Sequence, residues 1–277
     1  MKRPFAAVRV SRSAMLIPLA PVLVVQAWRT VRRTPRLDPA AGDEHGLAAG
    51  PRPGKGPEDG RPDYRVVVLG ESTAVGVGAS LHAEALPGFL AEALRDRLRR
   101  GVAWTLSGEN GATARRITTG LVPAPDGSAA DLVVVTTGIN DLIRRRPLRR
   151  WTADMTELIA ALRDRYPGAR LLVAGMPPVH RFPALPRPLR SVLGARARAM
   201  DLITSEAAAV GGAVHVPMDE AMARDRRLFA ADGFHPSAAG YRAWAQDLAR
   251  AAVPAPEPGL PAPHTPPAGA VPPRTVN

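Results

Sequence analysis

What most constrains this chain is a series of short, mostly apolar runs rich in β-branched residues. They fall at 66–69, 102–106, 131–136, 170–174 and 213–216. Each has the length and composition of a strand buried in a sheet. Between them lie segments of helical periodicity, at 87–100, 112–121, 151–166, 189–210 and 238–252. In the first, Phe89, Leu90, Ala93, Leu94 and Leu98 recur on one face. Strands buried on both faces and alternating with helices predict an α/β fold: a five-stranded parallel sheet between two helical layers. Right-handed crossovers then bring every strand's C-terminal end to one rim, where such sheets bind ligands.

The residues after the strands suit that position. Gly70-Glu71-Ser72 follows the first strand and Asn110-Gly111-Ala112-Thr113 the second. Gly138-Ile139-Asn140-Asp141 follows the third, and Asp232-Gly233-Phe234-His235-Pro236 comes after the fifth. A serine hydroxyl needs an adjacent base to act as a nucleophile, and histidine titrates in the useful range. Asp232, three residues before His235, is placed to orient the imidazole within one loop. An acyl-transfer transition state also needs donors aimed at its oxyanion. The Ser72 and Gly111 N–H groups and the Asn140 amide are candidates. Each residue also has a plain reading: Ser72 as a helix cap, Asp232 and Asn140 as loop caps, Gly111 as a turn glycine. Asp141 reads as a brace for its loop.

Taken together, the four blocks resemble the SGNH hydrolases, also called GDSL esterases and lipases, from about residue 65 to residue 252. The resemblance implies a flavodoxin-like three-layer sandwich and a metal-independent, cofactor-free hydrolase of small-molecule acyl esters. It implies Ser72 as nucleophile, His235 as base and Asp232 as its partner, with Ser72, Gly111 and Asn140 forming the oxyanion hole. Thioesterase and carbohydrate O-deacetylase activities belong to the same fold, and a membrane-tethered binding module is the non-enzymatic alternative. The sequence departs from the family in one place: Glu71 stands where the usual motif has aspartate. No long lid is evident, which favours an esterase over an interfacial lipase.

Outside that region the chain changes character. Lys2, Arg3, Arg9, Arg12, Arg29, Arg32, Arg33 and Arg36 all precede the first acid, Asp38, and carry most of the net charge of +12. Residues 14–27 are an apolar run inside this basic leader, shorter than a bilayer span and interrupted by two prolines. A signal anchor, an interfacial helix and a helix packed on the domain are all compatible with it. The basic flank after the run disfavours export, so a membrane-associated or cytoplasmic protein is expected over a secreted one. An anionic membrane surface is the expected partner of residues 1–36. Nucleic acid is not, because aromatic residues for stacking make up only 4% of the chain. Residues 37–63 read as a linker, 64–252 as the hydrolase domain and 253–277 as a disordered Pro/Ala tail. There are no cysteines, which excludes disulfides and thiolate chemistry. His180 follows the fourth strand and reads as an exposed loop histidine, with a place on the pocket rim as the alternative. The arginines at 144–146 and 149–150 read as a solvated face, with an anionic substrate group as the alternative.

Overall fold

The computed structural model describes residues 19–50, 63–122 and 129–253. Expectations for residues 1–18, 51–62 and 254–277 lie outside them. The strands are β1 (His45–Ala48), β2 (Tyr64–Gly70), β3 (Val102–Gly108), β4 (Leu132–Thr136), β5 (Arg170–Ala174) and β6 (Val214–Val216). The helices are α1 (Ala20–Arg33), α2 (Leu86–Leu98), the short α3 (Ala114–Arg116), α4 (Ile139–Ile143), α5 (Leu148–Arg165), α6 (Leu189–Val210) and α7 (Ala238–Ala252).

The sheet runs in the order β1-β3-β2-β4-β5-β6. From β3 to β6 every pairing is parallel, and the order is that of a flavodoxin-like sheet. Alternate residues of each central strand enter opposite cores. Val66, Val68 and Val134 meet α2 and α7, while Val67, Leu69 and Val133 meet α5 and α6. This is why the strands read as unbroken apolar runs. The switch point, where the winding direction reverses, lies between β2 and β4, so the Gly70 and Gly138 turns open side by side.

The sheet has six strands rather than five. The additional strand, β1, lies in the segment expected as linker and pairs antiparallel with β3. Only Ala48 of its four residues is buried, so it carries no strand-like apolar pattern. Gly46 lets the strand approach the edge of the sheet: a Cβ there would lie 2.7 Å from the Trp104 indole. The chain before β1 is also fastened to the domain. Ala40 N–H donates to the Val75 carbonyl and His82 N–H to that of Ala41, both at 2.9 Å.

The described part of the leader is α1. Leu23, Gln26, Ala27 and Thr30 form its half-buried face. Leu23 and Ala27 pack against the core that contains Leu185 and Leu189. Gln26 secures the contact twice: its amide donates to the Arg187 carbonyl at 2.6 Å and accepts from Leu189 N–H at 3.0 Å. Among the described residues, no helix is long and apolar enough to cross a membrane.

Candidate active site

Four segments meet at the C-terminal rim. The first turns sharply after β2, where Gly70 approaches β4 so closely that a Cβ would lie 2.2 Å from the Thr136 carbonyl oxygen. The turn is closed by Ala74 N–H donating to the Glu71 carbonyl at 2.9 Å and Val77 N–H donating to that of Ser72 at 3.0 Å. It leaves the Ser72 side chain pointing toward the fourth segment. The Oγ lies 3.0 Å from His235 Nε2, although 163 residues separate the two in sequence. Among the described residues no backbone N–H donates to that hydroxyl, so Ser72 is not a helix cap.

The fourth segment is a tight loop organised by Asp232. Its Oδ1 accepts the N–H groups of Phe234 (2.9 Å) and His235 (3.0 Å), and its Oδ2 lies 2.6 Å from His235 Nδ1. Burial pushes the Asp232 carboxyl up, but the His235 contact and the two backbone donors outweigh it and hold the group below the usual aspartate value. An ionised carboxylate at Nδ1 keeps the ring proton there and leaves Nε2 to accept from the serine hydroxyl. Pro236 and the Ser237 cap then start α7, where Ser237 Oγ accepts from Gly240 N–H. From α7, the Tyr241 hydroxyl reaches back to the Val77 carbonyl at 2.7 Å and binds the two loops together.

The second and third segments lie beside Ser72. Gly111 takes φ +88°, a left-handed conformation that suits glycine. The N–H groups of Ser72 and Gly111 donate to no acceptor among the described residues, so both are available to a ligand. Asp141 is buried and its Oδ2 accepts from Ala114 N–H at 2.9 Å, which ties the third segment to the second. Burial pushes its carboxyl up despite that hydrogen bond.

Asn140 is held by a partner that sequence reasoning did not identify. Glu71 is 4% exposed, and its carboxylate accepts from Ile139 N–H (3.2 Å), Asn140 N–H (3.2 Å) and Asn140 Nδ2 (2.5 Å). The other Nδ2 hydrogen goes to the Ala112 carbonyl at 3.0 Å. Both amide hydrogens of Asn140 are therefore engaged, unlike the N–H groups of Ser72 and Gly111. Burial pushes the Glu71 carboxyl up to about 7, against its three donors and with help from neighbouring Asp141.

The serine and histidine open onto an apolar pocket. Phe182, Phe229, Phe234, Met218, Met222 and Leu228 form much of its wall. Phe182 meets both other rings edge-on, with centroids 5.7 Å from Phe229 and 4.9 Å from Phe234. His180 lies in a neighbouring cleft with Glu220 and Asp201 and takes no part in this pocket. Of the arginine run, Arg146 pairs with buried Asp154 at 2.6 Å, and Arg144 donates to the Gly111 carbonyl at 3.3 Å. Among the described residues no group of three or more His, Asp or Glu side chains could hold a metal ion.

Residues 68–243 match the GDSL-like lipase/acylhydrolase family. A GDSL-like esterase of Mycobacterium tuberculosis is 32% identical over 196 residues, covering 67% of this chain. The chain spans 60% of that relative's length. Among solved structures, phospholipase A1 from Streptomyces albidoflavus superposes with a TM-score of 0.56 at 18% identity, covering 69% of this chain and all of the other. A psychrotrophic esterase from Pseudoalteromonas gives 0.53 at 15% identity, covering 69% of this chain and 96% of the other. These two likenesses concern the fold. The sequence match takes in all four rim segments, and the chain belongs to the GDSL-like lipase/acylhydrolase family.

Proposed function

We propose that this protein is a serine esterase that cleaves carboxylic esters through an acyl-enzyme. The observation that carries the reading is the position of His235. Its Nδ1 is 2.6 Å from Asp232 and its Nε2 is 3.0 Å from Ser72, at the mouth of an apolar pocket. In this reading Ser72 Oγ attacks the acyl carbonyl while Nε2 takes its proton. Asp232 stabilises the resulting imidazolium without itself taking the proton. The free N–H groups of Ser72 and Gly111 receive the oxyanion, and Asn140 adds a third donor. His235 then protonates the leaving alcohol, which departs. Water then attacks the acyl carbonyl while Nε2 takes its proton, and Nε2 returns that proton to Ser72 Oγ as the acyl–oxygen bond breaks and the acid leaves.

The phenylalanine and methionine wall favours an apolar acyl group over the acetyl of a sugar. Turnover of a nitrophenyl ester tests the mechanism. Ser72→Ala should lose about 10⁴-fold or more in kcat, as removal of an activated nucleophile does elsewhere. A fluorophosphonate should label the native chain at Ser72. Wild-type turnover by Ser72→Ala would end the proposal, and failure to label would favour a binding module.

A further inference from the structure

Helix α1 has two faces of different character. One is fixed to the domain through Leu23, Gln26 and Ala27. The other adjoins it, is turned to solvent and is apolar: Val24 is 65% exposed, Trp28 55% and Val31 70%, with Val25 at 47%. Val24, Trp28 and Val31 recur at helical spacing, so they form one ridge that runs alongside the domain contact, with Val25 farther round the helix. Such a ridge of large apolar side chains is unusual in a helix that is already docked, since water is a poor environment for it.

The charge around the ridge indicates what covers it. The helix contains no acidic residue. Arg29, Arg32 and Arg33 lie round the helix on the solvent side of the ridge, Arg36 follows, and Arg32 stacks 4.4 Å over the Trp28 ring. A cationic border along valine and tryptophan is complementary to a surface that is anionic outside and apolar within. That is the headgroup and acyl boundary of a membrane. At 14 residues the helix is about 21 Å long, short of the roughly 30 Å hydrocarbon core, so it suits the surface and not a crossing.

We propose that α1 is a docking helix that lays its Val24–Trp28–Val31 ridge into an anionic lipid surface while its other face stays on the domain. The connection to the pocket is short. Gln26 holds Arg187 and Leu189, and the segment before them contains Phe182 of the pocket wall. In that segment Ala184 N–H donates to the Gly233 carbonyl of the Asp232–His235 loop at 3.2 Å. Docking therefore fastens the membrane to the segment that walls the pocket. If the esterase reading holds, the substrates are lipid-like esters presented at that surface.

Cosedimentation of the full chain with vesicles tests this independently of catalysis. Vesicles of equal parts phosphatidylcholine and phosphatidylglycerol should bind the protein, and pure phosphatidylcholine should bind it much less. Val24→Asp with Val31→Asp should lower binding to the anionic vesicles by about tenfold or more. Replacing Arg29, Arg32 and Arg33 with glutamine should do the same, and salt should weaken the wild type. These side chains point to water, so hydrolysis of a soluble nitrophenyl ester should stay at the wild-type rate and report an intact fold. Failure of the wild type to bind anionic vesicles would overturn the proposal, as would unimpaired binding by the double aspartate variant. It would also be overturned by a dimer that this variant disrupts in a protein that ignores vesicles, because a second copy would then be the occupant.

Discussion

At Glu71, burial competes with hydrogen bonding, and the outcome can be read in the pH dependence of stability. The folded-state value of about 7 lies above the ordinary 4.5, so the folded chain keeps a proton that the unfolded chain has released. Stability from this group therefore falls as pH rises through that window, by about 3 kcal/mol at the upper end. Glu71→Gln removes the titration. Urea unfolding at about pH 5 and about pH 8 should show the wild type losing stability relative to the variant at the higher pH. Equal changes in both proteins would mean that Glu71 stays ionised throughout. The same carboxylate bears on Asn140. Once Glu71 is ionised, its 2.5 Å contact is charge-assisted and stronger than the 3.0 Å bond to the neutral Ala112 carbonyl. An oxyanion would thus take the second hydrogen, at the cost of the Ala112 bond. Because the gain is partly offset, Asn140→Ala should lower kcat by about 10²-fold, the small end of the range for oxyanion donors, with KM little changed. Nitrophenyl ester kinetics would measure it, and a kcat equal to wild type would remove Asn140 from the site.

Among the elements, β1 shows where sequence patterns stop being informative. The central strands β2, β4 and β5 could be read because burial on both faces demands unbroken apolar runs, and turns bound them. An edge strand has no such requirement. His45–Ala48 buries only Ala48, and its place depends on the Trp104 indole lying against Gly46, far along the chain. Gly46→Val should push that ring aside and cost roughly 1–3 kcal/mol in urea unfolding, as overpacking does. Turnover of a soluble ester should be retained, since β1 contributes nothing to the rim. Unchanged stability would mean that the edge yields freely. Three of the rim blocks were readable because each directly follows a strand, and the fourth because Asp232 and His235 stand three apart just before the Pro236 start of α7. The grip of Glu71 on Asn140 was not, because it joins residues 69 positions apart and depends on a glutamate's reach, which no local pattern encodes.

In the whole molecule, the pocket is assembled from pieces that have no pattern of their own. Phe182 comes from the segment between β5 and α6, Phe229 and Phe234 from the irregular chain before α7, and Met218 and Met222 from the segment after β6. They meet because the parallel sheet delivers all those segments to one rim, and Phe182 is where they join. It is 4% exposed, touches two other rings and belongs to the segment on which α1 rests. If this wall receives the acyl chain, Phe182→Ala should affect long substrates more than short ones. An acetyl group reaches little of the wall and should lose little. A chain of several methylenes gains from each buried CH₂, about 0.8 kcal/mol at full burial, so losing a third of the aromatic wall should cost about tenfold in kcat/KM. A series of nitrophenyl esters from acetate to decanoate would measure the slope with chain length. A uniform loss across the series would place Phe182 in support of the Asp232–His235 loop, through its contact with Phe234, and not in the acyl site.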